Sequence, residues 1–154
     1  MASTRTGAAT RKKSTGTRAR RKTASRAAPR GAPTTADLRR IARSIVTATS
    51  VRDERRMLSL YASEVESQEA GGESTFGIAA IEQKYARWNR RVANQRWHAR
   101  NLWVDGQTVI VEWEASLTLR SSGRHKLLRE VAIHEIRNGK IVRERYYYDP
   151  RQAP

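Results

Sequence analysis

The sequence predicts an α+β fold, with amphipathic helices first and an antiparallel meander after them. Two observations predict it. Between Leu38 and Trp88 large apolar residues recur at spacings of three and four, whereas from Trp97 onward they alternate with polar ones. The second half is also punctuated by Asp105-Gly106, Ser121-Ser122-Gly123 and Asn138-Gly139, each a turn sequence between candidate strands. No segment repeats at a fixed period, which sets aside solenoids and propellers.

Asp37 is a suitable N-cap, and Leu38, Ile41, Ile45 and Val46 follow it at helical spacing, predicting a first helix over 37–49. Asp53 opens a second, with Met57, Leu58 and Tyr61 on one side. Residues 64–70 alternate as a short strand, and Gly71-Gly72 ends it. A third helix starts near Gly77 and carries Ile78, Ile81, Tyr85 and Trp88. Strands follow through Trp97, Ala99 and Trp103, then from Val109 to Leu119, over 125–136, and from Ile141 to Tyr148. Pro150 ends the last one. A sheet this apolar cannot stand alone, so the helices must cover one of its faces.

The 154 residues suffice for one domain, expected over 37–150, with a flexible end over 151–154. Of the net charge of +16, residues 1–36 supply +10, holding ten of the 31 Lys and Arg and no acid. This stretch has no large apolar residue beyond Met1, so nothing offsets the entropy of ordering it, and a disordered basic arm is expected. Arg11, Lys12, Lys13, Arg18, Arg20, Arg21 and Lys22 are its candidate polyanion contacts. Nucleic acid held this way would be bound non-specifically and in a salt-sensitive manner, because the arm has no aromatic residue for base stacking. A solubilising tail is the plainer reading. A transit peptide shares the composition but requires an apolar face that the arm lacks. With no cysteine and no apolar run of ~20 residues, the expectation is a cytoplasmic protein without disulfides or a membrane span.

The last hairpin decides which side chains share a face. A two-residue Asn138-Gly139 loop pairs Ile136 with Ile141; a three-residue loop, Arg137 to Gly139, pairs Ile136 with Lys140. The longer loop is favoured because it keeps Arg143 and Arg145 off the helix-covered face. It gathers Leu128, Glu130, Ala132, His134 and Ile136 with Val142, Glu144, Tyr146 and Tyr148. That face is apolar with a few polar groups, as suits a ligand pocket. Each of these residues also has a plain structural reading, the aromatics as core and the carboxylates as rim charges. Glu130 and His134, four residues apart on one strand, are about 13 Å apart and do not touch. His98, His125 and His134 lack metal-site spacing, and there is neither a phosphate loop nor a nucleophile elbow, so no metal or cofactor is expected.

Several stretches carry a resemblance. They are Leu58-Ser59-Leu60-Tyr61-Ala62, Gly77-Ile78-Ala79-Ala80-Ile81, the run from Val104 to Trp113, and the close from Ile136 through Pro150. Their order and spacing over about 53–150 resemble the nuclear transport factor 2-like superfamily, and within it SnoaL-like domains and ketosteroid isomerase. The resemblance implies a cone-shaped, mainly antiparallel sheet with three N-terminal helices on its concave face, a pocket within, and a homodimer. In ketosteroid isomerase a carboxylate base stands on the short strand after helix two; the counterpart here is Glu69. The positions of that enzyme's two oxyanion donors hold Ile45 and Ala132, which cannot donate, while two supporting tyrosines correspond to Tyr61 and Tyr85. Losing such donors costs ~3–4 kcal/mol each, so an isomerase of that type is not expected.

The candidate catalytic residues are therefore Glu69, Glu130 and His134, with Tyr61, Tyr85, Trp88, Glu144, Tyr146 and Tyr148 as ligand contacts. One expectation is proton-transfer catalysis (cyclase, isomerase or dehydratase) on a small hydrophobic carbonyl compound. The alternatives are a non-catalytic ligand-binding or dimerisation module with a polyanion-binding tail, and a nucleic-acid-associated protein whose domain serves to dimerise.

Overall fold

The computed structural model describes residues 33–154, so the expected basic arm and its candidate contacts at Arg11, Lys12, Lys13, Arg18, Arg20, Arg21 and Lys22 lie outside the described residues. Helix α1 runs Thr35–Val51. Its N-cap is Thr34, whose hydroxyl accepts from the Asp37 amide while the Asp37 carboxylate accepts from the Thr34 amide. The expected cap, Asp37, is thus the third helical residue of a capping box. Leu38, Ile41, Ala42, Ile45 and Ala48 form its buried stripe. Arg52 takes the left-handed conformation (φ 60°), and Asp53 then caps α2, Glu54–Leu60, by accepting from the Arg56 amide.

The expected helical turn at Tyr61 is instead the start of strand β1, Tyr61–Gln68, which follows α2 without a loop. A short strand β2, Ser74–Phe76, pairs back on it; the sequence gives no hint of it, since three residues are too few to show a period. Helix α3, Ile78–Arg91, passes directly into β3, Val92–Asp105. Strands β4 (Thr108–Leu119), β5 (His125–Arg137) and β6 (Lys140–Tyr148) complete the meander. The sheet order is β2-β1-β6-β5-β4-β3, and only β1 and β6 run parallel. The helices lie on its concave face, where α1 packs on Val109, Val111 and Trp113.

Two bulges set which residues point inward. Ala99 pairs with Trp113 but Asn101 pairs with Glu112, so Arg100 is an extra residue. Strict alternation would put Trp103 with Trp97 and Ala99; the bulge turns it outward, half exposed. The last hairpin is corrected in the same way. Asn138 (φ 51°) and Gly139 (φ 77°) form a two-residue turn that pairs Arg137 with Lys140 and Ile136 with Ile141, so the three-residue loop does not form. An extra residue at Val142 then shifts the register, so that His134 faces Glu144, Ala132 faces Tyr146 and Glu130 faces Tyr148. The expected inner face survives except at one place, where Ile141 is fully buried in the position expected for Val142.

This register has a measurable consequence. Ile141→Ala should cost about 2–5 kcal/mol in urea denaturation, and Val142→Ala distinctly less. The opposite ranking would restore the three-residue loop.

Candidate functional site

Register brings a carboxylate to the centre of the fold. Glu144 on β6 lies beside Ser67 of parallel β1 and opposite His134 of β5, and it is fully buried. One carboxylate oxygen accepts from Ser67 Oγ at 2.7 Å and from the Lys84 ammonium. The other accepts from Tyr61 Oη at 2.5 Å and Tyr146 Oη at 2.7 Å. Tyr85 Oη lies 3.3 Å from Tyr61 Oη and extends the network. Burial alone would raise the Glu144 pKa, but the Lys84 charge and these donors hold it down at about 2. Burial works against the Lys84 charge as well, yet the Glu144 and Glu69 carboxylates raise its pKa above the ordinary value. Lys84 Nζ also stands 3.0 Å from Ser67 Oγ, 3.3 Å from a Glu69 oxygen and 4.4 Å from the Tyr146 ring centroid. Four donors occupy the acceptor capacity of Glu144.

Above this cluster is a cavity of about 280 Å³ between the helices and the sheet. One wall is aromatic. Trp88 and Trp97 lie 5.8 Å apart, and Trp97 meets Trp113 edge-on at 5.9 Å. Both Trp88 Nε1 and Trp97 Nε1 donate to Gln95 Oε1 at 2.7 Å, so one amide oxygen orients two indoles. Tyr85, Tyr146 and Tyr148 line the same cavity.

Three acid/base groups line the same space. Glu130, only 8 % exposed, has its pKa pushed up to about 8 by burial and then by the Glu69 and Glu144 charges, with Lys84 opposing. It is protonated at neutral pH. Burial pushes the His134 pKa down to about 4, although Glu144 pulls the other way. Its imidazole is therefore neutral, and both buried ring nitrogens are without a hydrogen-bond partner among the described residues. Glu69 lies just beyond β1 with its side chain 42 % exposed, and accepts from Tyr148 Oη at 3.0 Å. At the mouth are Arg52, Arg87 and Arg91.

Residues 42–144 match the family model described as SnoaL-like domain. The chain belongs to the SnoaL-like family. Solved structures share the fold of this SnoaL-like domain. A protein of unknown function from Burkholderia pseudomallei, described as NTF2-like, is 18% identical, with 73% of this chain and 91% of that one covered and a TM-score of 0.67. A candidate SnoaL-like polyketide cyclase from Mesorhizobium loti is 24% identical over 72% of this chain and 98% of that one, with a TM-score of 0.62. An epoxide hydrolase from M. tuberculosis, described as LEH-like, is 16% identical over 77% and 86%, with a TM-score of 0.63. A comparison with curated proteins gives no match. Among the described residues no helix is long and apolar enough to cross a membrane.

Of the residues expected from sequence, Glu69, Glu130, His134, Tyr85, Trp88, Tyr146 and Tyr148 line the cavity of the SnoaL-like domain. Tyr61 and Glu144 are not among its lining residues; both are buried, and Glu144 is enclosed by its own donors. Sequence reasoning missed Lys84, Ser67, Gln95, Trp97, Trp113 and the three mouth arginines. A signal for Lys84 existed. It stands three residues after Ile81 and four before Trp88, on the stripe that α3 turns inward.

Lys84→Met leaves Glu144 without its counter-ion and should cost about 3–5 kcal/mol in urea denaturation. Adding Glu144→Leu should recover most of that loss. Acid should act on the wild type in two steps. The depressed His134 value gives stability that is full above its ordinary 6.5 and lost towards about 4, and Glu144 repeats this between 4.5 and about 2. Thermal denaturation across that range should show both losses.

Proposed function

We propose that this SnoaL-like domain catalyses proton transfer on a small, largely apolar carbonyl compound, by a reaction of the cyclase, isomerase or dehydratase kind. The observation that carries the reading is Glu130, a carboxylic acid kept protonated at neutral pH on the wall of an apolar cavity. General acid/base catalysis works best with a group whose pKa lies near the operating pH. With a substrate carbonyl against Glu130, the acid proton passes to the carbonyl oxygen while the Glu69 carboxylate removes a proton from the adjacent carbon. The C–H electron pair becomes the C=C bond of an enol, and the protons return by the reverse path or the enol carbon attacks a second carbonyl. The neutral His134 ring supplies a hydrogen bond to the bound molecule, since both of its nitrogens are without a partner among the described residues. The Mesorhizobium loti relative's description as a candidate polyketide cyclase is in keeping with this chemistry.

A direct test follows α-hydrogen exchange of 2-tetralone in deuterated buffer by NMR. The wild type should accelerate exchange, with the rate falling as pH passes about 8 and Glu130 loses its proton. Glu130→Gln keeps the size and a hydrogen-bond donor but has no proton to give, so it should lose ~10²–10⁴-fold. Equal exchange in the two proteins would sink the reading. The same raised pKa stabilises the fold fully below 4.5, and that stabilisation is lost as pH rises through about 8. Stability of Glu130→Gln relative to wild type should accordingly increase from acid to alkaline pH.

Association of two copies is the second part of the reading. The outer sheet face leaves Trp103 and Tyr147 half exposed, Trp103 in a row with Ile110 and Ile133 and Tyr147 beside Val131. Light scattering should give twice the chain mass, and Trp103→Glu should return the monomer.

A further inference from the structure

We infer that the cavity mouth selects an anionic substituent, so that the substrate is an aromatic or otherwise apolar molecule carrying a carboxylate or phosphate at the end opposite its reacting carbonyl. This rests on the proton-transfer reading for the position of the carbonyl, and on the mouth residues for the anion.

Three arginines reach the mouth from two elements. Arg52 comes from the left-handed cap between α1 and α2; Arg87 and Arg91 are one turn apart on α3, on either side of Trp88. On the outer sheet face arginines are held by carboxylates: Arg143 by Glu66 and Glu135, Arg145 by Glu135, Arg129 by Glu114. At the mouth Arg52 and Arg87 form no ion pair among the described residues, and Arg91 donates to the Pro154 main-chain oxygen at 3.4 Å. The one acid there, Glu54, accepts from Asn89 Nδ2 at 2.7 Å. Unpartnered arginines also stand away from the cavity at Arg39, Arg43 and Arg55, so a missing partner alone does not make a site. What distinguishes the mouth is that its guanidinium groups border an apolar wall.

The cavity is polarised along its depth. Cationic groups border the opening, whereas the deeper wall presents the uncharged Glu130 and His134 side chains, and the Glu144 charge behind it is matched by Lys84. An anion pushed inward loses its water against uncharged groups, and one left at the opening meets guanidinium groups. Such a molecule therefore lies with its neutral end inward, towards Glu130 and His134. The indoles of Trp88 and Trp97 offer flat apolar faces to the part between.

Calorimetry on the full chain with 2-naphthoate, 2-naphthyl phosphate and the neutral 2-naphthamide tests this without any turnover. The wild type should bind at least one anion ~10-fold more tightly than the amide, on the scale of a few exposed charge contacts, and the difference should shrink with salt. Whichever anion leads identifies the substituent class. The triple variant Arg52→Gln, Arg87→Gln, Arg91→Gln should lose the preference and keep amide binding. The triple variant Arg39→Gln, Arg43→Gln, Arg55→Gln removes the same charge from elsewhere and should keep the preference. Equal losses in the two variants would mean only the general positive field, and would overturn the inference. So would equal binding of anions and amide, or no binding of any probe. If the anions bind through the mouth arginines but 2-tetralone does not exchange, the proposed function fails and this inference stands; the reverse pattern removes this inference alone.

Discussion

A carboxylate does not stay ionised in a protein interior unless its charge is matched and its oxygens are occupied, and the fold is arranged to satisfy both conditions for Glu144. Its donors come from three elements: Tyr61 and Ser67 on β1, Lys84 on α3, and Tyr146 on β6 itself. The parallel pairing of β1 with β6 sets Ser67 next to Glu144. Helix α3 must lie where Lys84 reaches the same point, and its inward stripe then carries Tyr85 and Trp88 to the cavity. One charge pair thus ties the only parallel step in the sheet to the helix that roofs the pocket.

That charge cluster also shapes the protonation of the cavity wall. Burial is the larger influence on both Glu130 and His134, and it moves them in opposite directions, each towards its neutral form. The negative charges nearby reinforce the shift at Glu130 and oppose it at His134. The wall therefore presents two uncharged hydrogen-bonding groups on alternate inward positions of β5, separated by Ala132. Ionic character is concentrated behind them, where four donors already hold it.

The sequence made the α+β class, the three helices and the long strands legible, because each has a sustained period. It failed where one residue is inserted into that period. Arg100 and Val142 are ordinary strand residues, and nothing in their chemistry announces a bulge. In the last hairpin two misreadings offset each other, since the shorter turn followed by a bulge restores the inner face that a longer turn would have given. The site was legible where titratable residues stand alone on an apolar face, as Glu130 and His134 do. It was illegible for Lys84, because lysine on a helix usually belongs to the solvated side. Only three-dimensional proximity to Glu144, sixty positions on in the chain, gives it a partner.

The departure from ketosteroid isomerase bears on what chemistry the pocket supports. On the sequence resemblance Ile45 and Ala132 correspond to that enzyme's oxyanion donors, and both are buried and apolar here. A reaction that passed through a full enolate would lack those contacts. In the proposed reaction Glu130, two residues before Ala132 and on the same inward face, would offer a proton in place of a fixed donor. A group that transfers its proton neutralises the developing oxygen charge, and so demands less of the surrounding dipoles than a charge that must be held. The loss of the two donors and the elevated Glu130 pKa are therefore compatible features of one site, and together they favour an enol over an enolate as the species the cavity would stabilise.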